Sequence, residues 1–155
     1  MHNSRIYLEQ LLQEKQYDTA SRYVLQNIEA HQTEEYFVLL YILFQIRMSE
    51  HKAGMTDIFS TLNTPDIDTL LLHYTNIKFC LRRFEYDFPE DSKQEAFTYF
   101  LDFTVSPYAL FHIAKFACVD MLSVLQALET AYRAAGKEDF AATLKQLQGE
   151  LSPAV

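Results

Sequence analysis

Residues 36–44 read YFVLLYILF, nine apolar or aromatic side chains in succession. A membrane-spanning helix needs roughly 18 or more such residues. This run is bounded by Glu34 and Glu35 before it and Arg47 soon after. Wound as a helix, its side chains leave in every direction and no polar face remains for water. Such a segment is the central helix of a helical domain, either packed on all sides by its own chain or turned on one side toward a partner. Tyr36 and Tyr41 then carry their hydroxyls toward a rim.

The surrounding chain supports the helical reading. It has 155 residues, 49% hydrophobic and 22% charged, with three Gly and four Pro. This length can bury a core without disulfide or metal staples. So few turn formers favour a handful of helices over many short strands. Asn3 or Ser4 caps a first helix carrying Ile6, Leu8, Leu11 and Leu12 and ending near Lys15. Tyr17, Ala20, Val24 and Ile28 share one face of a second, where Asp18 and Arg22 stand four apart as an ion pair. Thr33 is the expected cap of the helix that holds the opening run, and Gly54 suits the left-handed turn after it.

Residues 57–62, DIFSTL, form at most a short helix. Thr64-Pro65 places a cap and a first-turn proline ahead of Ile67, Leu70, Tyr74, Ile77, Leu81 and Phe84. Their gaps of three and four give one seam along about five turns. Phe88-Pro89 ends that helix, and Glu90, Asp91 and Ser92 begin one with Ala96, Phe97, Phe100 and Phe103. Ser106-Pro107 repeats the cap-then-proline signal. Asp120 precedes a stripe of Met121, Leu125, Leu128, Tyr132 and Ala135, closed by Gly136. Phe140, Leu144, Leu147 and Leu151 mark the last helix, stopped by Ser152-Pro153. The expected fold is all-α: eight or nine helices in antiparallel pairs, forming one helical domain over residues 1–155.

Two stretches, LEQLLQEKQYDTASRYVLQNIEA and VLQALETAYRAAGKEDFAATLKQL, resemble tetratricopeptide-repeat helical hairpins over about a third of the chain. No Trp is present, and Gln16 stands where such repeats turn with Gly. The resemblance implies a helical repeat that binds a protein or peptide on a concave face. The alternative architecture is an irregular helical bundle.

The net charge of −8 makes nucleic acid a poor partner and disfavours anionic membrane surfaces, so neither is expected. Cys80 and Cys118 lie far apart without CxxC spacing, which fits reduced, buried thiols in a cytoplasmic protein. The N-terminal MHNSRIYLEQ lacks the apolar stretch of a signal peptide. His2, His31, His51, His73 and His112 form neither HExxH nor a Cys/His cluster, so no metal site is expected. A Cys–His nucleophile, drawn from His73 or His112 with Cys80 or Cys118, has no second signal behind it. Three isolated glycines cannot cradle a phosphate, so no nucleotide cofactor is expected either. In EYDFPED the acids Glu85, Asp87, Glu90 and Asp91 lack the glycine and spacing of a calcium loop.

Two features remain. Lys78, Arg82 and Arg83 form one compact basic patch. It is either a solvated face paired with Glu85 and Asp87 or a dock for a carboxylate or phosphate. Of ten Tyr and twelve Phe, half lie between Phe79 and Phe116. Phe97, Phe100, Phe103, Phe111 and Phe116 are too many for one flat seam, so they are core, a ligand pocket or a partner surface. The functional expectation is a non-enzymatic interaction module for a protein or peptide: an adaptor, a regulatory subunit or an immunity-type inhibitor of a basic toxin. The alternative is an all-α small-molecule or lipid-binding domain with an aromatic-lined pocket. A homodimer burying aromatic surface fits either.

Overall fold

The computed structural model describes residues 2–28, 35–56, 58–59, 67–85 and 89–151. Those residues form eight helices and no strand: α1 (His2–Gln13), α2 (Tyr17–Asn27), α3 (Glu35–Lys52), α4 (Ile67–Glu85), α5 (Glu90–Asp102), α6 (Pro107–Ala117), α7 (Met121–Ala134) and α8 (Glu138–Gly149). The all-α expectation is met. The expected caps at Thr33 and Thr64-Pro65, most of the segment 57–62 and the stop at Ser152-Pro153 lie outside the described residues. Among the described residues no helix is long and apolar enough to cross a membrane. The chain divides into two compact units, Met1–Thr75 and Asn76–Val155, with the boundary inside α4.

In the first unit α3 is the centre. Phe37, Leu39, Leu40, Ile42, Leu43 and Phe44 are buried, and Tyr36, Val38 and Tyr41 are half-buried. None of the nine residues that open the sequence argument is exposed. Helix α2 runs antiparallel to α3, since Arg47 reaches Asp18 at 3.3 Å and lies over the Tyr17 ring at 5.0 Å while Tyr23 meets Phe37 near the other end. Asp18 therefore pairs with a residue of another helix, where sequence spacing had pointed to Arg22. Ser4 does not cap α1. The helix begins before it, and its Oγ accepts from the Tyr23 hydroxyl at 2.9 Å. Ile6 falls on the exposed side of α1, while Leu8, Leu11 and Leu12 enter the core. Arg5 of α1 bonds Glu9 and Asp68 of α4.

The second unit is built on the α7–α8 hairpin. Arg133 Nη1 donates to Glu138 at 2.9 Å and Gln148 Nε2 to Glu129 at 2.9 Å, so the two helices run in opposite senses. Helix α6 packs against both. Its start follows the sequence signal: Ser106 Oγ accepts from the Ala109 amide at 3.0 Å, with Pro107 in the first turn. Asp120 caps α7 by accepting from the Ser123 amide at 3.2 Å. Leu125, Leu128 and Tyr132 of the expected α7 stripe are buried, whereas Ala135 at its end is exposed. On α4 the seam residues Ile67, Leu70, Tyr74, Ile77 and Leu81 are buried, and Phe84 at its end is half-buried.

Four helix ends share one geometry. After α1, α3, α5 and α7 an amide bonds the carbonyl five residues back: Gln16 to Leu11, Met55 to Glu50, Val105 to Phe100 and Lys137 to Tyr132. The residue before each amide is left-handed, at φ 59° for Lys15, 74° for Gly54, 50° for Thr104 and 81° for Gly136. This is the Schellman turn, which satisfies the last carbonyls of a helix and favours glycine at its left-handed position.

Candidate functional site

The C-terminal half of α4 and the middle of α5 form the walls of an open groove of about 830 Å³. Asn76, Cys80 and Arg83 recur at gaps of four and three on α4, with Phe79 and Arg82 beside them, so one stripe of the helix faces the groove. Glu95 and Tyr99, four apart on α5, form the opposite wall. Arg83 Nη1 stands 3.8 Å from Glu95 Oε2, and Phe84 and Phe100 pack 6.3 Å apart.

The groove lining combines charged, aromatic and amide side chains. Phe79 is 57% exposed, a large apolar side chain left in water. Tyr99 is half-buried, and burial pushes its hydroxyl pKa up, with a hydrogen bond to Asn76 working against that shift. Its ring lies 4.5 Å from that of Phe103, which extends the aromatic wall beyond the groove. Burial raises the Cys80 thiol pKa, and the neighbouring Arg83 only partly offsets it. The ordinary value and the raised one both keep the thiol mainly protonated at pH 7.

The basic patch named from the sequence divides. Arg82 and Arg83 line the groove, whereas Lys78 places its ammonium over the Phe116 ring at 5.7 Å. The carboxylate that meets Arg83 is Glu95 of α5. Asp87 lies outside the described residues. Glu85 Oε2 instead accepts from the Asp120 amide at 2.6 Å.

The five candidate aromatics divide as well. Phe97, Phe100 and Phe111 are buried, with Phe97 edge-on to Tyr132 at 4.8 Å. Phe103 and Phe116 are 56% and 44% exposed. Phe79, Tyr99 and Asn76 were not singled out in the sequence. The signal that finds Asn76 and Phe79 is the spacing 76, 79, 80, 83 on a helix whose other stripe is the buried seam; Tyr99, on α5, has no such signal.

Burial also shifts Cys118, His73 and His112. Burial first, and Glu85 second, push the Cys118 thiol up to about 11, against the opposing effect of Arg82. Burial lowers the pKa of His73, and burial with the Lys115 charge takes His112 down to about 4, so both rings are neutral at pH 7. Among the described residues no three His, Cys, Asp or Glu side chains converge as a metal ion requires.

No protein-family model, no curated protein and no solved structure matches this chain.

Proposed function

We propose that this chain is a non-enzymatic binding module that takes an acidic segment of a partner protein in the groove between α4 and α5. The observation that carries the reading is the pairing, in one open groove, of two guanidinium groups with an exposed Phe. Arg and aromatic side chains are the residue types on which interface affinity concentrates. In a chain of net charge −8 the groove sets two guanidinium groups against one carboxylate, Glu95, and so is locally cationic on an acidic body. The partner is therefore held by short-range contacts: carboxylates against Arg82 and Arg83, and an apolar side chain against Phe79 and Tyr99. Protein or peptide binding is also what the repeat resemblance implies.

Random peptides displayed on phage and selected on the immobilised protein test this. Peptides rich in Asp and Glu with at least one large apolar residue are expected to be enriched. Their affinity should fall at least about tenfold in Arg82→Glu/Arg83→Glu and in Phe79→Ala, because each change removes a charge-assisted or anchor contact. Enrichment of basic peptides, or acidic peptides that bind the charge-reversed protein equally well, would overturn it. A second copy of this acidic chain is the competing occupant. Concentration-dependent dimerisation that Phe79→Ala abolishes in light scattering would replace the peptide reading.

A further inference from the structure

Among the described residues the two most exposed aromatic side chains are Phe79, at 57%, and Phe103, at 56%. Single exposed apolar residues are ordinary, whereas contiguous ones mark a contact surface. These two are joined through one neighbour. Phe79 lines the α4–α5 groove with Tyr99, and the Tyr99 ring lies 4.5 Å from that of Phe103. Binding of an acidic segment to Arg82, Arg83 and Phe79 does not by itself use Phe103.

The groove has two unlike ends. Arg83 faces Glu95 and Asn76 hydrogen-bonds Tyr99, so its two walls run in opposite senses. Along α5 and onto its C-cap, Glu95, Tyr99 and Phe103 follow at gaps of four, about 6 Å apart at the helical rise. On α4, Phe79 lies one such step from Arg83. The groove therefore passes from guanidinium groups, through Phe79 and Tyr99, to an aromatic end at Phe103, roughly 12 Å away. Glu95 does not close the charged end. Its side chain is 78% exposed, and at 3.8 Å its carboxylate stands beyond hydrogen-bond distance of Arg83.

The same approach of Arg83 to Glu95 sets the shape of the occupant. The walls come so close there that a helix, about 10–12 Å across, has no room between them. An extended chain is thinner. Its alternate side chains share one face and recur every 6.6–6.8 Å or so, roughly the step of the walls.

Resting on the groove reading above, we infer that the partner segment binds as an extended strand with a fixed register: acid, any residue, apolar, any residue, aromatic. The acid meets Arg82 and Arg83, the apolar residue lies between Phe79 and Tyr99, and the aromatic residue packs on Phe103. Phe103 makes spacing, and not acidity alone, decide which segments bind.

Fluorescence anisotropy with labelled synthetic peptides tests the register. Each peptide carries Asp-Asp, a Leu two positions from the nearer Asp, and one Phe at three, four, five or eight positions from it. Ser and Gly fill the rest, and every spacing is made in both chain directions. The four-position peptide is expected to bind tightest, with three and five at least about fivefold weaker because an odd step turns the Phe to the opposite face. Phe103→Ala should weaken the four-position peptide about tenfold, the scale of one Phe side chain kept from burial. It should leave a peptide with Ser in place of Phe unchanged, which also shows that the variant's groove is intact. Equal affinity at three, four and five positions, or a Phe103→Ala loss shared by the Phe-free peptide, would overturn the register and leave the groove reading standing. No binding by any of these peptides, or binding that Arg82→Glu/Arg83→Glu leaves unchanged, would overturn both.

Discussion

A single buried carboxylate holds the chain beyond α3. Glu50 is 3% exposed, and its Oε1 accepts from the Ile58 amide at 2.8 Å, binding the segment after α3 back onto the helix. Glu50→Ala removes the acceptor and strands a buried amide, so it is expected to cost about 1–3 kcal/mol in urea unfolding. Glu50→Gln keeps an acceptor and should lose less than half of that. His112 sets a pH response. Its folded pKa of about 4 lies below the ordinary 6.5, so the folded state prefers the neutral ring. Between those values the unfolded chain binds more protons, so stability is full above 6.5 and falls as pH drops toward 4. The ring is part-buried, and solvent screening leaves the loss on the order of 1–2 kcal/mol. His112→Gln should flatten that portion of the pH profile of the melting temperature, and a variant with the wild-type slope would exclude the ring as its source.

At the scale of helices, the four Schellman turns differ in what they ask of the residue at the left-handed position. Gly54 and Gly136 meet it without strain, whereas Lys15 and Thr104 carry a side chain there. Left-handed backbone costs an L-residue roughly 1–2 kcal/mol. Lys15→Gly is therefore expected to raise stability by about 1 kcal/mol, and Gly136→Ala to lower it by a similar amount, both read from chemical unfolding midpoints. A Cβ at Gly136 meets nothing within 4 Å, so its effect is one of backbone conformation alone. The same turns show what the sequence discloses. Ser106, Asp120 and Gly136 were readable because a cap or a left-handed stop is satisfied within a few residues of itself. The α4 seam was readable because periodicity fixes a helix face before any partner is known. The end of α1 was less so: Lys15 has no glycine to announce the turn. The fates of Phe97, Phe100 and Phe111 inside and Phe103 and Phe116 outside were not readable, because all five fit helical spacing and only packing between helices separates them. The groove has the same origin. Its two walls come from helices whose pairing no local rule specifies, so Arg83 met Glu95 rather than the nearer Glu85.

For the molecule as a whole, net charge and local charge respond to salt with opposite sign. A chain carrying −8 at pH 7 repels itself when folded. Screening shortens the reach of each charge from roughly 30 Å at 0.01 M salt to roughly 10 Å at 0.1 M. The described ion pairs are mostly at exposed positions, such as Arg133 with Glu138 and Arg83 with Glu95, and pairs of that kind contribute little that salt can remove. Relief of self-repulsion therefore wins, and raising salt over that range is expected to stabilise the fold by about 1 kcal/mol, or about 2–4 °C in melting temperature. Binding of acidic peptides to Arg82 and Arg83 should move the other way, weakening over the same range because its attraction is the one being screened. Calorimetric melts and peptide titrations on the same samples check both signs. A melting temperature that falls with salt would mean the attractive pairs outweigh the net charge, and peptide affinity that rises with salt would assign the groove's contacts to Phe79 and Tyr99 rather than to the guanidinium groups.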